Sequence, residues 1–332
     1  MIKILGRLRL RYRYVLGAIY DSNHVFRVLT TDEFLCNRLL GEIVRNTHSI
    51  EKGLCLENVR FGFGYAKILE TAKKIDKLRE VSGHINFFQI RMFTDALGCY
   101  LNFHQSIGFE NDNIHEISLL YKKLRGDLPS INGLIGGYIK VNKPHYTICD
   151  QHTIERIFLE RHSVREFSHA PVSMEDLSAA IRLAMHCPSA CNRQCYRVYI
   201  IDRQGRKYFS DWLDGTGGFA DEIDKYLLIT ARMSDYRLFE KHQYIVSAAM
   251  FAAYLTLALQ AYNLGACCIQ RELVVDSKYT NIARGLHIPS DEMPVCVIGV
   301  GNFKDVYKVP VSHRFDYDEI VRNLGGVIPN LG

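Results

Sequence analysis

Apolar residues recur at helical spacing through the first third of the chain. Phe34, Leu35, Leu39, Leu40, Ile43 and Val44 form one stripe, and Ala66, Leu69, Ala72 and Ile75 a second. An aromatic-rich run from Ile85 to Phe103, broken only by Gly98, and another from Ile114 to Leu124 predict two more helices. Gly133, Gly136, Gly137 and Pro144 then cluster in one short stretch and mark a boundary. Beyond it the pattern alternates. Ile154, Ile157 and Phe158 predict a short helix, and Ser173 with Asp176 resembles a capping box opening a helix faced by Leu177, Ile181, Ala184 and Met185. Tyr196, Val198 and Ile200 alternate as a strand ending in a turn at Asp202–Gly205. Lys225–Thr230 and Pro294–Gly299 read as further strands. Tyr244–Tyr262 is apolar nearly all round, which predicts a helix buried on most faces, with Gly265 as its C-terminal glycine.

Composition narrows this picture. With 332 residues, 48% hydrophobic and 23% charged, the chain suits one large or two medium soluble domains. No apolar run approaches the roughly 20 residues of a transmembrane helix. In the N-terminal stretch Arg7, Arg9, Arg11 and Arg13 alternate with apolar residues, as in an exposed strand or solvated arm; a membrane-surface or polyanion contact is the alternative. A net charge of +5 without a recognisable motif gives no reason to expect nucleic acid. Cys36, Cys55, Cys99, Cys149 and Cys296 are scattered singly, which suits reduced thiols in a cytoplasmic protein.

Cys187, Cys191 and Cys195 invite a metal reading. Their i, i+4, i+8 spacing shares a face only on a continuous helix, which Pro188 interrupts, and a tetrahedral site needs a fourth ligand. No metal is expected there. Two polar segments carry more chemistry. Arg161-His162-Ser163-Val164-Arg165 offers guanidinium forks and a hydroxyl suited to phosphate oxygens. Pro188-Ser189-Ala190-Cys191-Asn192-Arg193-Gln194 is a polar loop between a helix and a strand, able to offer amide donors and acceptors to a planar heterocycle.

Taken in order, RxSxRxF, a helix of about a dozen residues, PSxxNxQ and a strand resemble the opening of the FMN-dependent nitroreductase family. Asn263–Gln270 resembles that family's GLG-x-x-x-I segment, and Arg314 its C-terminal arginine. The likeness runs from about Gln151 to the C-terminus. It implies an α+β fold, nitroreductase-like, with a central, mostly antiparallel sheet flanked by helices. It implies FMN held by Arg161, His162, Ser163 and Arg165 at the phosphate and ribityl chain. Pro188, Ser189, Asn192 and Gln194 would lie along the flavin ring, Ile269 and Gln270 beside N5, and Arg314 would reach the phosphate from a partner subunit. It further implies a homodimer with FMN at the interface, with the 244–262 helix at its centre, and NADH or NADPH as electron donor to a small-molecule acceptor. The sequence departs from the family at Cys195, where proline is usual, and in a short segment before Gly265.

His48-Ser-Ile-Glu51-Lys52-Gly-Leu resembles an N-terminal extension of nitroreductase-like proteins in bacterial surface-polysaccharide gene clusters. The expected organisation is a mainly helical region, 1–140, for substrate or partner recognition, and an FMN-binding domain, 150–332. His48, Glu51 and Lys52 are candidates for the substrate side of the flavin site, against a helix end bearing surface charges. The expected activity is ping-pong reduction of an electron-poor acceptor or biosynthetic intermediate. A flavin enzyme working without nicotinamide and a non-catalytic flavin-binding scaffold are the alternatives.

Overall fold

The computed structural model describes residues 2–83, 88–129, 133–141, 147–208, 213, 216, 218–240, 242–269, 277–312 and 314–322. Helices α1 (Ile2–Thr30), α2 (Leu35–Leu54), α3 (Tyr65–Ser82), α4 (Phe88–Ser106) and α5 (Asp112–Gly126) come first. After 133–141, which holds no regular element, come α6 (Ile148–Glu160), α7 (Met174–Ala184), β1 (Tyr196–Asp202), β2 (Lys225–Arg232) and α8 (Gln243–Ala261). Then follow β3 (Leu264–Ile269), α9 (Ser277–Gly285), β4 (Glu292–Asn302) and the short α10 (Tyr317–Ile320). The strands form one antiparallel sheet in the order β1-β2-β4-β3. The fold class is therefore α+β, a helical N-terminal region joined to an antiparallel sheet with helices.

Side-chain caps set several helix starts. Ser173 accepts a hydrogen bond from the Asp176 N–H, and Thr147 and Asp150 form a complete capping box at α6. Pro294 sits inside β4 where the register with β2 shifts by one residue, the kind of irregularity that tolerates a missing N–H.

Two apolar cores hold the chain. One, from α2 to α5, is centred on Ile43, Ile68, Ile75, Phe93 and Tyr100. The other covers the sheet and α7–α8, and it also takes Val25, Val28 and Leu29 at the end of α1, together with Phe34. Helix α2 joins the two. Gly41 lies against the backbone of Asp235, where a Cβ would come within 2.4 Å of its carbonyl oxygen. The Asn37 amide donates to Asp291 at 3.1 Å.

Four expectations are corrected. The N-terminus is helical, not a strand or arm, because its helical stripe runs longer than its alternation and Leu and Arg favour helix. Gly265 is inside β3; α8 ends at Ala261 with Tyr262 as its cap, followed by Asn263 in the left-handed region at φ 56°. Residues 203–208 continue from β1 as 3₁₀ helix rather than a tight turn. Helix α8 is buried on one side only, since the sheet and α7 cover that face and leave Val246, Met250 and Tyr254 exposed. Of the five scattered cysteines only Cys296 is buried, whereas Cys55 and Cys149 are exposed.

Candidate functional site

The 161–168 segment is pinned onto the sheet edge. Ser163 bridges Ala266 of β3 in parallel, with the Val164 N–H donating to the Ala266 carbonyl at 2.9 Å. Phe167 pairs with Phe303, and the Ser168 N–H donates to the Asn302 carbonyl at 2.9 Å. Two glycines permit this close approach. A Cβ on Gly301 would stand 2.6 Å from the Phe167 ring, and one on Gly265 3.1 Å from it. Val164 and Phe167 are fully buried, whereas Arg165 between them is exposed. Its guanidinium donates to the Ser163 carbonyl at 3.1 Å and lies 5.8 Å from the Phe219 ring. Arg161 and His162 are half-buried. Burial raises the Cys267 thiol pKa, and both arginines act against that, which places their charges beside β3. Among the described residues neither Arg161 nor Arg165 pairs with a carboxylate. Two cations without a carboxylate partner among the described residues, beside the Ser163 hydroxyl, fit a dianionic phosphate. Ile269 ends β3 and is buried; Gln270 lies outside the described residues.

The 188–194 loop is held differently. Cys191, Asn192 and Gln194 all adopt left-handed backbone, at φ 54°, 54° and 47°. Non-glycine residues there cost on the order of 1 kcal/mol or more each and persist only where the surroundings enforce them. The enforcement is visible. The Gln194 N–H donates to Ser189 Oγ at 3.1 Å, and the Ala190 N–H to Ser247 Oγ of α8 at 3.2 Å. Buried Arg193 forms a two-pronged pair with Glu240, at 2.7 and 3.0 Å, and donates to the Asp235 carbonyl at 3.2 Å. Its guanidinium also stacks 3.8 Å from the Tyr236 ring centroid. Burial works against the Glu240 carboxylate, but hydrogen bonds from Arg193 and Arg237 hold its pKa below the usual range. Pro188 and Asn192 are left exposed on a stiff loop, with Ser189 and Gln194 half-buried.

These two halves do not meet within one chain. The 161–168 segment flanks β3 at one edge of the sheet, near the Val300 level of β4. The loop enters β1 at the other edge, near the Met293 level. Strand spacing and rise put Ser163 and Cys195 roughly 30 Å apart. The exposed face of α8 and the solvent-facing apolar residues of α6 (Ile154, Phe158 and Leu159) lie in the same half of the molecule.

Helix α2 approaches the loop from the N-terminal side. Asn37 meets Asp291, Gly41 meets Asp235, and Arg45 lies within electrostatic reach of Glu240. His48 and Lys52 are the next positions on that stripe. His48 Nδ1 is 3.3 Å from Glu51 Oε2, and Glu51 Oε1 accepts the Gly137 N–H at 3.0 Å. Glu51 thus ties α2 to the 133–141 segment, and Lys52 is exposed. Sequence reasoning missed Arg193, Glu240 and Asp235. Arg193 stood inside a quoted motif as a spacer, and its partner is 47 residues away.

The cysteines separate by environment. Cys187 and Cys195 are buried and Cys191 half-buried. Burial pushes the Cys195 thiol up to about 12, so it carries no thiolate at neutral pH. Exposed Cys268 differs: a hydrogen bond with Cys296 of β4 lowers its pKa while raising that of Cys296. Arg314 is exposed, its guanidinium bonded to the Ser312 carbonyl.

A model of the nitroreductase family matches residues 159–245. Among solved structures the chain is similar to an FMN-dependent nitroreductase from Clostridium difficile, at 22% identity over 50% of this chain and 97% of that one, with a TM-score of 0.43. It is similar to a nitroreductase family protein from Streptococcus pneumoniae, at 18% identity over 51% and 98% of the two chains, TM-score 0.42. A protein from Desulfovibrio desulfuricans assigned as a nitroreductase in complex with FMN aligns at 18% identity over 53% and 98%, TM-score 0.44. No curated protein sequence matches the chain.

Proposed function

We propose that the protein is an FMN-dependent oxidoreductase that works as a homodimer, with one flavin site at each end of the interface. The observation that carries this reading is the separation just described. A phosphate cradle at Arg161, Ser163 and Arg165 and a ring loop at Pro188, Ser189, Asn192 and Gln194 sit at opposite corners of one sheet. A two-fold partner docked along the exposed face of α8 would bring the cradle of one copy to the loop of the other. The apolar character of that face supports this arrangement.

In this reading Arg161 and Arg165 hold the phosphate, with Arg314 of the second copy as a further cation. His162 is a neighbouring polar contact. Asn192 and Gln194 would address the polar edge of the ring, and the Ile269–Gln270 segment would supply a backbone donor beside N5. When bound, FMN supplies two-electron chemistry, taking hydride from NADH or NADPH and passing electrons to an electron-poor acceptor. Residues 150–332 would form the flavin domain and 1–140 a recognition region, with His48, Glu51 and Lys52 on the substrate side. A part in bacterial surface-polysaccharide biosynthesis follows only from the likeness of the His48–Leu54 motif.

The decisive experiment is an anaerobic spectrum of the purified protein. It should be yellow, be bleached by NADH or NADPH, and elute as a dimer. A protein that stays colourless after incubation with FMN would overturn the reading. Bound flavin that neither nucleotide reduces would instead select an enzyme working without nicotinamide.

A further inference from the structure

Helix α1 runs for 29 residues, and Val25, Val28 and Leu29 near its end pack into the sheet core. Among the residues of α1 whose side chains are described, the first buried one is Val25. Before that, Tyr12, Val15, Leu16 and Ile19 are 65%, 45%, 47% and 52% exposed, and a Cβ on Gly17 would find nothing within 4 Å. From Tyr12 to Ile19, about 11 Å of helix, the described apolar side chains therefore face solvent.

Those four residues follow the i, i+3, i+4, i+7 rule and form one apolar stripe. At 100° per residue, positions 4, 5 and 8 extend it toward the N-terminus. Basic positions border it on both sides, with 3, 7 and 11 along one flank and 9 and 13 along the other. The far side carries glycine at 6 and 17, alanine at 18 and aspartate at 21, with Leu10 and Tyr14 among them.

The charge is equally lopsided. Residues 1–20 contain five basic residues and no acidic one. They account for the entire net charge of +5, leaving 36 basic and 36 acidic residues in the rest of the chain. A neutral body therefore carries one cationic, apolar-striped helix.

We infer that α1 is a membrane-surface anchor that lies in the headgroup region of a bilayer containing anionic lipids. Helices of this design bury the apolar stripe roughly 5–10 Å deep while Lys and Arg stems extend to the phosphates. A nucleic acid would satisfy the cations and leave the stripe of Leu, Ile and Val in water. A second copy of α1 would cover the stripe but set two basic helices side by side with no acidic residue before Asp21 to compensate. An anionic bilayer satisfies both features at once. The inference is independent of the flavin reading, since α1 contributes no residue to the proposed flavin site.

The test is co-sedimentation of the full chain with phosphatidylcholine vesicles, with and without phosphatidylglycerol. Binding should require the anionic lipid and weaken as salt rises. Arg7→Gln, Arg9→Gln, Arg11→Gln and Arg13→Gln together should abolish it, since each cation near such a surface is worth roughly fivefold in affinity. Leu16→Ser with Ile19→Ser should also weaken it at unchanged charge. Both variants should keep the parent circular dichroism and melting profile, since Leu16 and Ile19 are exposed and glutamine sustains a helix about as well as arginine. Binding independent of anionic lipid, absence of binding, or sedimentation unaltered by the four-arginine variant would overturn the inference. So would retention on heparin or DNA without vesicle binding. A loss of oligomeric state in the Leu16→Ser, Ile19→Ser variant would reassign the stripe to a second copy.

Discussion

The 161–168 segment and the 188–194 loop both carry arginines in polar surroundings, yet they use them in opposite ways. In the first, apolar packing does the anchoring: Phe167 lies against Gly265 and Gly301, and hydrogen bonds tie the backbone to β3 and β4. Arg161 and Arg165 are then left without a carboxylate partner among the described residues. In the second, Arg193 is itself the anchor, buried and committed to Glu240 and to the carbonyls of Ala190 and Asp235. An arginine with a carboxylate at hydrogen-bond distance is scaffold, whereas one without such a partner can take an anion.

The largest expected effect breaks the scaffold. Glu240→Ala leaves a buried guanidinium uncompensated and should cost about 3–5 kcal/mol of stability, measured by chemical denaturation. A loss under about 1 kcal/mol would mean that Arg193 is not holding the loop. Next, Gly301→Ala forces the new methyl into the Phe167 ring and should cost about 1–3 kcal/mol. The same variant should weaken FMN binding by displacing Arg161 and Arg165.

Substituting the unpaired arginines sharpens the contrast. Arg161→Ala and Arg165→Ala should each change stability by less than about 0.5 kcal/mol. Each should nevertheless weaken FMN binding about tenfold or more, read by fluorescence titration, because a charge-assisted hydrogen bond is worth about 1.5–3 kcal/mol. Equal effects on melting and on flavin would erase the distinction between the two segments.

Acid should release the loop but not the segment. The folded Glu240 pKa is depressed, so its contribution is complete above the unfolded value of about 4.3 and is lost as pH falls through the folded value. Asp235 and Glu292, raised by burial, act in the opposite sense: their contribution is present at low pH and lost as pH rises through the folded values. The difference between wild type and Glu240→Gln therefore isolates the loop, and it should shrink below about pH 4. The smallest effect is chemical. Iodoacetamide should label exposed Cys268 well before buried Cys195, and mass spectrometry of the digest would show the reverse if their environments were misjudged.

Much of the architecture was legible because it is periodic. The stripes at Leu39–Val44 and Ala66–Ile75, the Ser173 cap and the alternation at Tyr196–Ile200 are local signals, and all became the expected elements. Where two periodicities overlapped, as in the arginine alternation near the N-terminus, the shorter one misled. Gly265 misled for a related reason: glycine after a helix reads as a cap, and only the neighbouring chain reveals that it makes room for Phe167.

The candidate site divides the same way. Residue order and its family resemblance led us to propose the arginine segment, the polar loop and the end of β3 as the parts of one cofactor site, because functional groups and their spacing are written in the chain. Which arginine is spent internally could not be read there, since Glu240 lies 47 residues from Arg193 and meets it only in the fold. Nor could sequence reveal that the 161–168 segment and the 188–194 loop sit at opposite corners of one sheet. Strand order, set by long-range hydrogen bonding and burial rather than by local pattern, decided that.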